Sequence, residues 1–259
     1  MQTESNVTQA INAQNADNPN YHVVGKENLW LIEQYLKNYN KNIIKVLSNK
    51  IVVKDNALDF GAGIGTLAAI WTEIYKSPPE CVEIDPEYQN DLSQRGYIVY
   101  KNLKEINKTY SLIYTSNVLE HIENDTEILN DLNKLLNKDG HLCIYVPAFQ
   151  SLYSAIDRSV GHFRRYDRAE LIQKVQNAGF NVLSCEYSDS VGFLTWLFVK
   201  YQKKQEDSIS KTQLAIYDKF IFPISKALDL IGLKYFFGKN LVLIAQPKTA
   251  TGDDKTAHL

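Results

Sequence analysis

"ALDFGAGIGTLAA", residues 57–69, runs from a short apolar stretch into three glycines at alternate positions, Gly61, Gly63 and Gly65, and then resumes as an apolar helix-forming segment. A strand that ends in such a turn at a helix start lets a ligand approach the backbone closely. It also aims free N–H groups at the ligand's negative charge. The spacing narrows the choice of ligand. A dinucleotide fingerprint carries glycines at its first, third and sixth places, whereas here they stand first, third and fifth, with Thr66 sixth. A phosphate-gripping loop closes on Gly-Lys-Ser/Thr, and this turn has Gly-Thr with no lysine.

Working outward, strand and helix signals alternate: strand 56–60, helix 64–76, strand 80–84, helix 86–94, strand 97–101, strand 111–116, helix 125–136, strand 140–146 and strand 180–187. Alternation of this kind implies βαβ units and a mostly parallel sheet. Two helices show capping-box patterns, Asn124 with Glu127 and Asp167 with Glu170, and Gly140 and Gly179 stand where each should stop. Residues 27–54 predict a helical cap ahead of the sheet. Residues 190–234 interrupt the rhythm with two helical stretches joined by polar "KKQEDSISKTQ", and Pro223 should kink the second. The stretch 239–247 reads as a last strand. The fold class is therefore α/β, a Rossmann-like seven-stranded sheet with helices on both faces, N-terminal helices and a helical insertion before the last strand.

Beyond the second strand, "CVEIDPEY" places Glu83 where a carboxylate can accept both hydroxyls of a ribose, with Asp85 the alternative. On these residues the chain resembles class I S-adenosylmethionine-dependent methyltransferases, of the bacterial small-molecule subgroup. Their glycine motif is matched by Asp59, Gly61, Gly63 and Gly65, and their acidic second-strand residue by Glu83. "KNLKEI" (101–106), "YSLIYTSNVLEHI" (110–122), "KDGHLCIYVPA" (138–148), "LYSAIDRSVGHFRRYDRAEL" (152–171), "GFLTWLF" (192–198) and "FFGKNLVLIAQ" (236–246) extend the resemblance over residues 21–247. It implies that S-adenosylmethionine is the cofactor and S-adenosylhomocysteine the product. It places Asp59, Gly61, Ala62, Gly63, Gly65, Glu83, Ile84, Asn102, Leu103 and Asn117 around the cofactor, with Ile84 and Leu103 against the adenine.

His121 follows Asn117 by one helical turn and is a candidate general base; a structural role in its own loop is the alternative. His162 is a second catalytic candidate, and Tyr153, Arg164, Tyr166 and Trp196 are candidates for acceptor contact. The aromatic residues of the insertion 190–234 suit a lid over an apolar acceptor pocket, dimer contacts being the alternative. The expected reaction moves a methyl group to oxygen or nitrogen of a small, largely apolar acceptor, a specialised metabolite or a lipid or sugar intermediate. Two other readings stay open: a non-catalytic S-adenosylmethionine-binding partner subunit, and a nicotinamide-type oxidoreductase of similar topology.

Composition bounds the partners. The 259 residues hold 28 Lys plus Arg against 30 Asp plus Glu, a net charge of -2, which gives no basic footprint for nucleic acid. The five histidines and three cysteines make no metal-ligand spacing, so no metal is expected, and Cys81, Cys143 and Cys185 read as small core residues in a reducing, cytoplasmic setting. No apolar run approaches the roughly 20 residues of a membrane-spanning helix. Residues 1–20 and 248–259 read as polar, disordered tails, and a monomer or homodimer is expected.

Overall fold

The computed structural model describes residues 29–201 and 210–248. The expected tail at 1–20, all but the first residue of the tail at 248–259, and residues 202–209 of the polar linker lie outside the described residues. The strands are β1 (Ala57–Phe60), β2 (Glu80–Val82), β3 (Val99–Tyr100), β4 (Tyr110–Ser116), β5 (Leu136–Pro147), β6 (Phe180–Ser188) and β7 (Asn240–Pro247). They form one sheet in the order β3-β2-β1-β4-β5-β7-β6. β7 runs antiparallel to β5 and β6, and the remaining pairs are parallel. The chain leaves β1 toward β2 on one side and returns at β4 on the other. That reversal opens a crevice at the carboxyl ends of β1 and β4, where ligands bind in sheets of this kind.

Period-two alternation along the strands fills both faces. Leu58, Phe60, Ile113, Leu142, Ile144, Leu241 and Leu243 face one side, where Leu129 and Leu132 of α5 (Asp125–Lys134) and Leu171 and Val175 of α7 (Arg168–Asn177) cover them. Ala57, Leu112, Tyr114, Cys143, Tyr145 and Ile244 face the other, under helix α2 (Lys37–Ser48) and α3 (Thr66–Tyr75). Trp71 of α3 stacks on Tyr114 at 4.9 Å between ring centres. The helix ahead of α2, α1, spans 29–35; α4 is Pro86–Gln94 and α6 is Ala155–Ser159. No helix among the described residues is long and apolar enough to cross a membrane.

Three local expectations need correction. Neither Asn124 nor Asp167 caps a backbone N–H. The Asn124 amide donates instead to Glu127 Oε2 at 2.9 Å, and Asp167 accepts from the Gln150 N–H at 3.4 Å. A carboxylate that does cap its own helix is Asp85, which accepts from the N–H groups of Glu87 (2.8 Å) and Tyr88 (3.4 Å) at the start of α4. Gly140 does not end α5 but lies inside β5, where a Cβ would come within 2.9 Å of the Asn137 carbonyl. Gly179, with φ +83°, does end α7 as expected.

The insertion divides in two. α8 (Ser190–Tyr201) follows β6, and α9 (Lys211–Ile216), a π-helical turn (Tyr217–Ile221) and α10 (Phe222–Leu230) lead back toward β7. Pro223 stands in the first turn of α10, directly after the π turn, so the disturbance it was expected to cause falls just ahead of it. Tyr217 and Phe222 pack on Tyr39 of α2 in the core. Asp218, buried, accepts from the N–H groups of Asn38 (3.0 Å) and Tyr39 (2.8 Å). The insertion thus caps α2, whose own N-cap residue, Leu36, has no side chain able to do so.

Candidate active site

The glycine turn is built where the crevice opens. Gly61, Gly63 and Gly65 have φ of +78°, +54° and +88°, the left-handed region that favours glycine. A Cβ on Gly61 would lie 2.3 Å from Val118 Cγ2, so the segment after β4 rests directly on the turn. Among the described residues, a Cβ on Gly63 would meet only Leu29 Cδ1, at 3.6 Å, so none of them crowds that backbone. The Gly63 N–H donates to Glu83 Oε2 at 2.7 Å, while Glu83 Oε1 accepts from the N–H groups of Ile84 (2.8 Å) and Asp85 (2.9 Å). Burial raises the Glu83 carboxyl against the lowering effect of these donors. Next to it, the Ile84 side chain is 56% exposed, an apolar surface beside a carboxylate.

The remaining cofactor candidates fall into place unevenly. Asn102 is half-buried and caps a short 3-10 turn by accepting from the Lys104 N–H at 3.0 Å; Leu103 beside it packs against the core. Asn117 is exposed at the end of β4, with φ +53° and its N–H donating to the Tyr145 carbonyl at 2.8 Å. Ala62 is buried in the turn, its N–H on the Val82 carbonyl at 3.1 Å. Asp59 is buried in β1 between Cys81 and Tyr114 of the neighbouring strands. Burial pushes its carboxyl up to about 8. At 2% exposure it presents almost no surface to a ligand.

After β4, the 3-10 turn Leu119–His121 carries a group that no spacing in the sequence announces. Glu120, 0% exposed, has no donor for either carboxylate oxygen among the described residues apart from its own N–H. Burial pushes its carboxyl up to about 8, although the charge of Arg165 acts the other way. His121 and His162 meet edge to face at 4.6 Å between ring centres. His121 Nδ1 is buried without a partner among the described residues, and burial, helped by His162, lowers this imidazole to about 4. His162 Nδ1 is 3.0 Å from Asp157 Oδ1, and its Nε2 lies 4.0 Å from Glu120 Oε1. Asp157 is itself fixed by Arg165 Nε at 2.8 Å and by the Ser154 N–H at 2.8 Å. The loop is tied to the turn by the Phe163 N–H, which donates to the Glu120 carbonyl at 2.7 Å.

Of the acceptor candidates, Arg164 and Tyr166 are both bonded to Asp125. Tyr166 is 1% exposed, and its hydroxyl donates to Asp125 Oδ2 at 2.8 Å. Arg164 Nη1 donates to the same oxygen at 2.8 Å, and Lys174 Nζ to Asp125 Oδ1 at 3.0 Å. Three donors converge on one buried carboxylate and tie the loop to α5. Tyr153 is likewise engaged, its hydroxyl donating to the His162 carbonyl at 2.6 Å, where it steadies that histidine's loop. Trp196 of α8 remains at the site's rim. Its ring lies under the Arg165 guanidinium at 4.6 Å and the Lys239 ammonium at 5.3 Å, and its indole N–H reaches the Leu152 carbonyl at 3.4 Å. Two surface clefts between α2 and α10, lined by residues such as Asn42 and Lys226, share no residue with the glycine-turn site.

Comparison with known proteins agrees with this geometry. A family model described as a methyltransferase domain matches residues 32–185. No curated protein matches the chain in sequence. Among solved structures, a chain of the complex between the Haloferax volcanii Trm112 methyltransferase activator and a methyltransferase is similar at 10% identity and a TM-score of 0.58, covering 92% of this chain and 98% of that one. The plantazolicin methyltransferase BpumL, solved with S-adenosylhomocysteine, gives 11% identity, a TM-score of 0.58 and coverages of 95% and 97%. A SAM-dependent methyltransferase of Archaeoglobus fulgidus gives 18% identity, a TM-score of 0.56 and coverages of 84% and 99%. At these identities the structures share the fold, and the family match adds the lineage: the chain belongs to the methyltransferase domain family.

Proposed function

We propose that this protein is an S-adenosylmethionine-dependent methyltransferase acting on oxygen or nitrogen of a small acceptor. The observation that carries the reading is the juxtaposition of the Gly63 backbone, which no described residue crowds, with the Glu83 carboxylate hydrogen-bonded to it. S-adenosylmethionine is the cofactor of this family, and when bound it supplies an electrophilic methyl group on a sulfonium sulfur. The residues present fit it. Glu83 is placed to accept the ribose hydroxyls, Ile84 and Leu103 to flank the adenine, Asn102 to meet its amine, and Gly61, Ala62, Gly63 and Asn117 to line the path of the amino-acid portion. Asp85 is committed as the α4 cap, which favours Glu83 for the ribose.

In methyl transfer the protein's work is mostly alignment and exclusion of water. α8, with Trp196 at the rim, is assigned the part of a lid over the acceptor; Tyr217 and Phe222, in the core with Tyr39, have no such part. Activation of the acceptor is assigned to Glu120, His121 and His162 as a group, since these titratable side chains cluster after β4, beside the segment that rests on the glycine turn. The test is incubation with S-adenosylmethionine carrying a deuterated methyl group, over a panel of hydroxylated and amino metabolites, read by mass spectrometry. A product heavier by one labelled methyl, made by wild type and not by heat-inactivated protein, is the expected result. Tight cofactor binding with no transfer to any acceptor would favour the non-catalytic subunit instead.

A further inference from the structure

From the same region of the molecule we infer that Glu120, His121 and His162 bind one divalent transition-metal ion of the zinc class. One ligand atom from each of the three lies within 4.8 Å of the other two. Two imidazoles and a carboxylate form a donor set suited to such ions, and three protein ligands leave at least one coordination position open. Around a tetrahedral ion with bonds of roughly 2.1 Å the ligand atoms stand about 3.4 Å apart. The 4.0 Å between Glu120 Oε1 and His162 Nε2 therefore closes with a small side-chain adjustment.

Two observations make this more than proximity. Glu120 is fully buried, yet its carboxylate has no donor from another described residue, a costly arrangement that a bound cation relieves. The imidazoles are also oriented as ligands. Asp157 holds His162 Nδ1 and so turns Nε2 toward Glu120, the carboxylate–histidine arrangement that supports metal ligation. Among the described residues His121 Nδ1 has no hydrogen-bond partner, which leaves that nitrogen free for an ion. Whether the ion binds is independent of the methyltransferase reading; that it readies the acceptor rests on that reading.

The experiment uses the untagged full chain, stripped with a chelator and titrated with cobalt(II) chloride, a zinc-class ion with visible ligand-field absorption. One cobalt per chain should bind, be displaced by zinc, and bind at least about tenfold more weakly to both Glu120→Gln and His162→Gln, each checked for native circular dichroism. Absence of cobalt binding, or affinity unchanged in either folded variant, overturns the site. S-adenosylhomocysteine calorimetry on the same samples separates the two readings. Cofactor binding without cobalt refutes the metal alone, and cobalt binding without cofactor refutes the methyltransferase reading alone.

Discussion

Replacing Gly61 by alanine tests how the glycine turn and the segment after β4 are joined. Two costs can be separated in the structure. At φ +78° an L side chain is strained, which costs roughly 1–2 kcal/mol. The added Cβ would also lie 2.3, 2.8 and 3.1 Å from three atoms of Val118, and overpacking of that kind costs typically about 1–3 kcal/mol. The sum, roughly 2–5 kcal/mol, should appear in urea unfolding of Gly61→Ala as a lower midpoint with an unchanged slope. Val118→Ala removes the two nearest atoms and leaves the backbone strain. The double mutant should therefore recover the steric part, with a coupling of about 1–3 kcal/mol in a double-mutant cycle. Because Val118 leads into Glu120 and His121, Gly61→Ala should also disturb the acceptor side of the site. A loss below about 1 kcal/mol, or strict additivity with Val118→Ala, would refute the reasoning.

Other outcomes follow from single contacts. Asp218→Ala should cost about 0.5–2 kcal/mol of stability by uncapping α2, and Asp218→Asn should cost less; unfolding curves that coincide with wild type would remove the cap from the account. For Asp59, burial raises the folded carboxyl to about 8, so the folded state holds a proton that the unfolded state releases near pH ~4. That contribution is whole below pH ~4 and is lost as pH rises through about 8, so the stability of Asp59→Asn minus that of wild type should climb across this window. A difference that stays flat with pH would contradict the assignment. Trp196→Ala should raise the acceptor's KM or lower kcat while S-adenosylhomocysteine affinity stays within about twofold, since the indole touches Arg165, Lys239 and Leu152 and not the glycine turn. Kinetics identical to wild type would take α8 out of the acceptor site.

Where local chemistry decides the structure, the residues announced it. The alternate glycines could only be a left-handed turn, "VEIDP" put a carboxylate at the end of β2, and α4 begins and ends at the residues its pattern suggests. What the sequence concealed depends on contacts between distant segments. A capping box is possible at Asn124 and at Asp167, but the Asn124 amide bonds the Glu127 side chain of its own helix, and Asp167 accepts from the Gln150 N–H of an earlier loop. Leu36 cannot cap α2, and the residue that does so, Asp218, comes from an insertion whose path has no local signature. His121 and His162 lie far apart in the chain, so a search for ligand spacing could not pair them. Glu120, between apolar Leu119 and Ile122 of the same stretch, reads as one more charged residue until its burial is seen. A charged residue inside an apolar run beside a histidine is the one signal that could have pointed to it. Aromatic and guanidinium groups such as Tyr166 and Arg164 serve both as ligand contacts and as structural ties, and their shared partner Asp125 was not legible in the sequence.

The central claim is that Glu83, seated on the glycine turn, holds the cofactor's ribose. Titration calorimetry of S-adenosylhomocysteine against wild type, Glu83→Ala and Asp85→Ala tests it most directly. Charge-assisted hydrogen bonds are worth about 1.5–3 kcal/mol each, so Glu83→Ala should bind at least about tenfold more weakly. Asp85→Ala, which loses only a helix cap, should bind with nearly the wild-type constant. Unchanged affinity in a folded Glu83→Ala, with Asp85→Ala the weakened variant, would contradict the account.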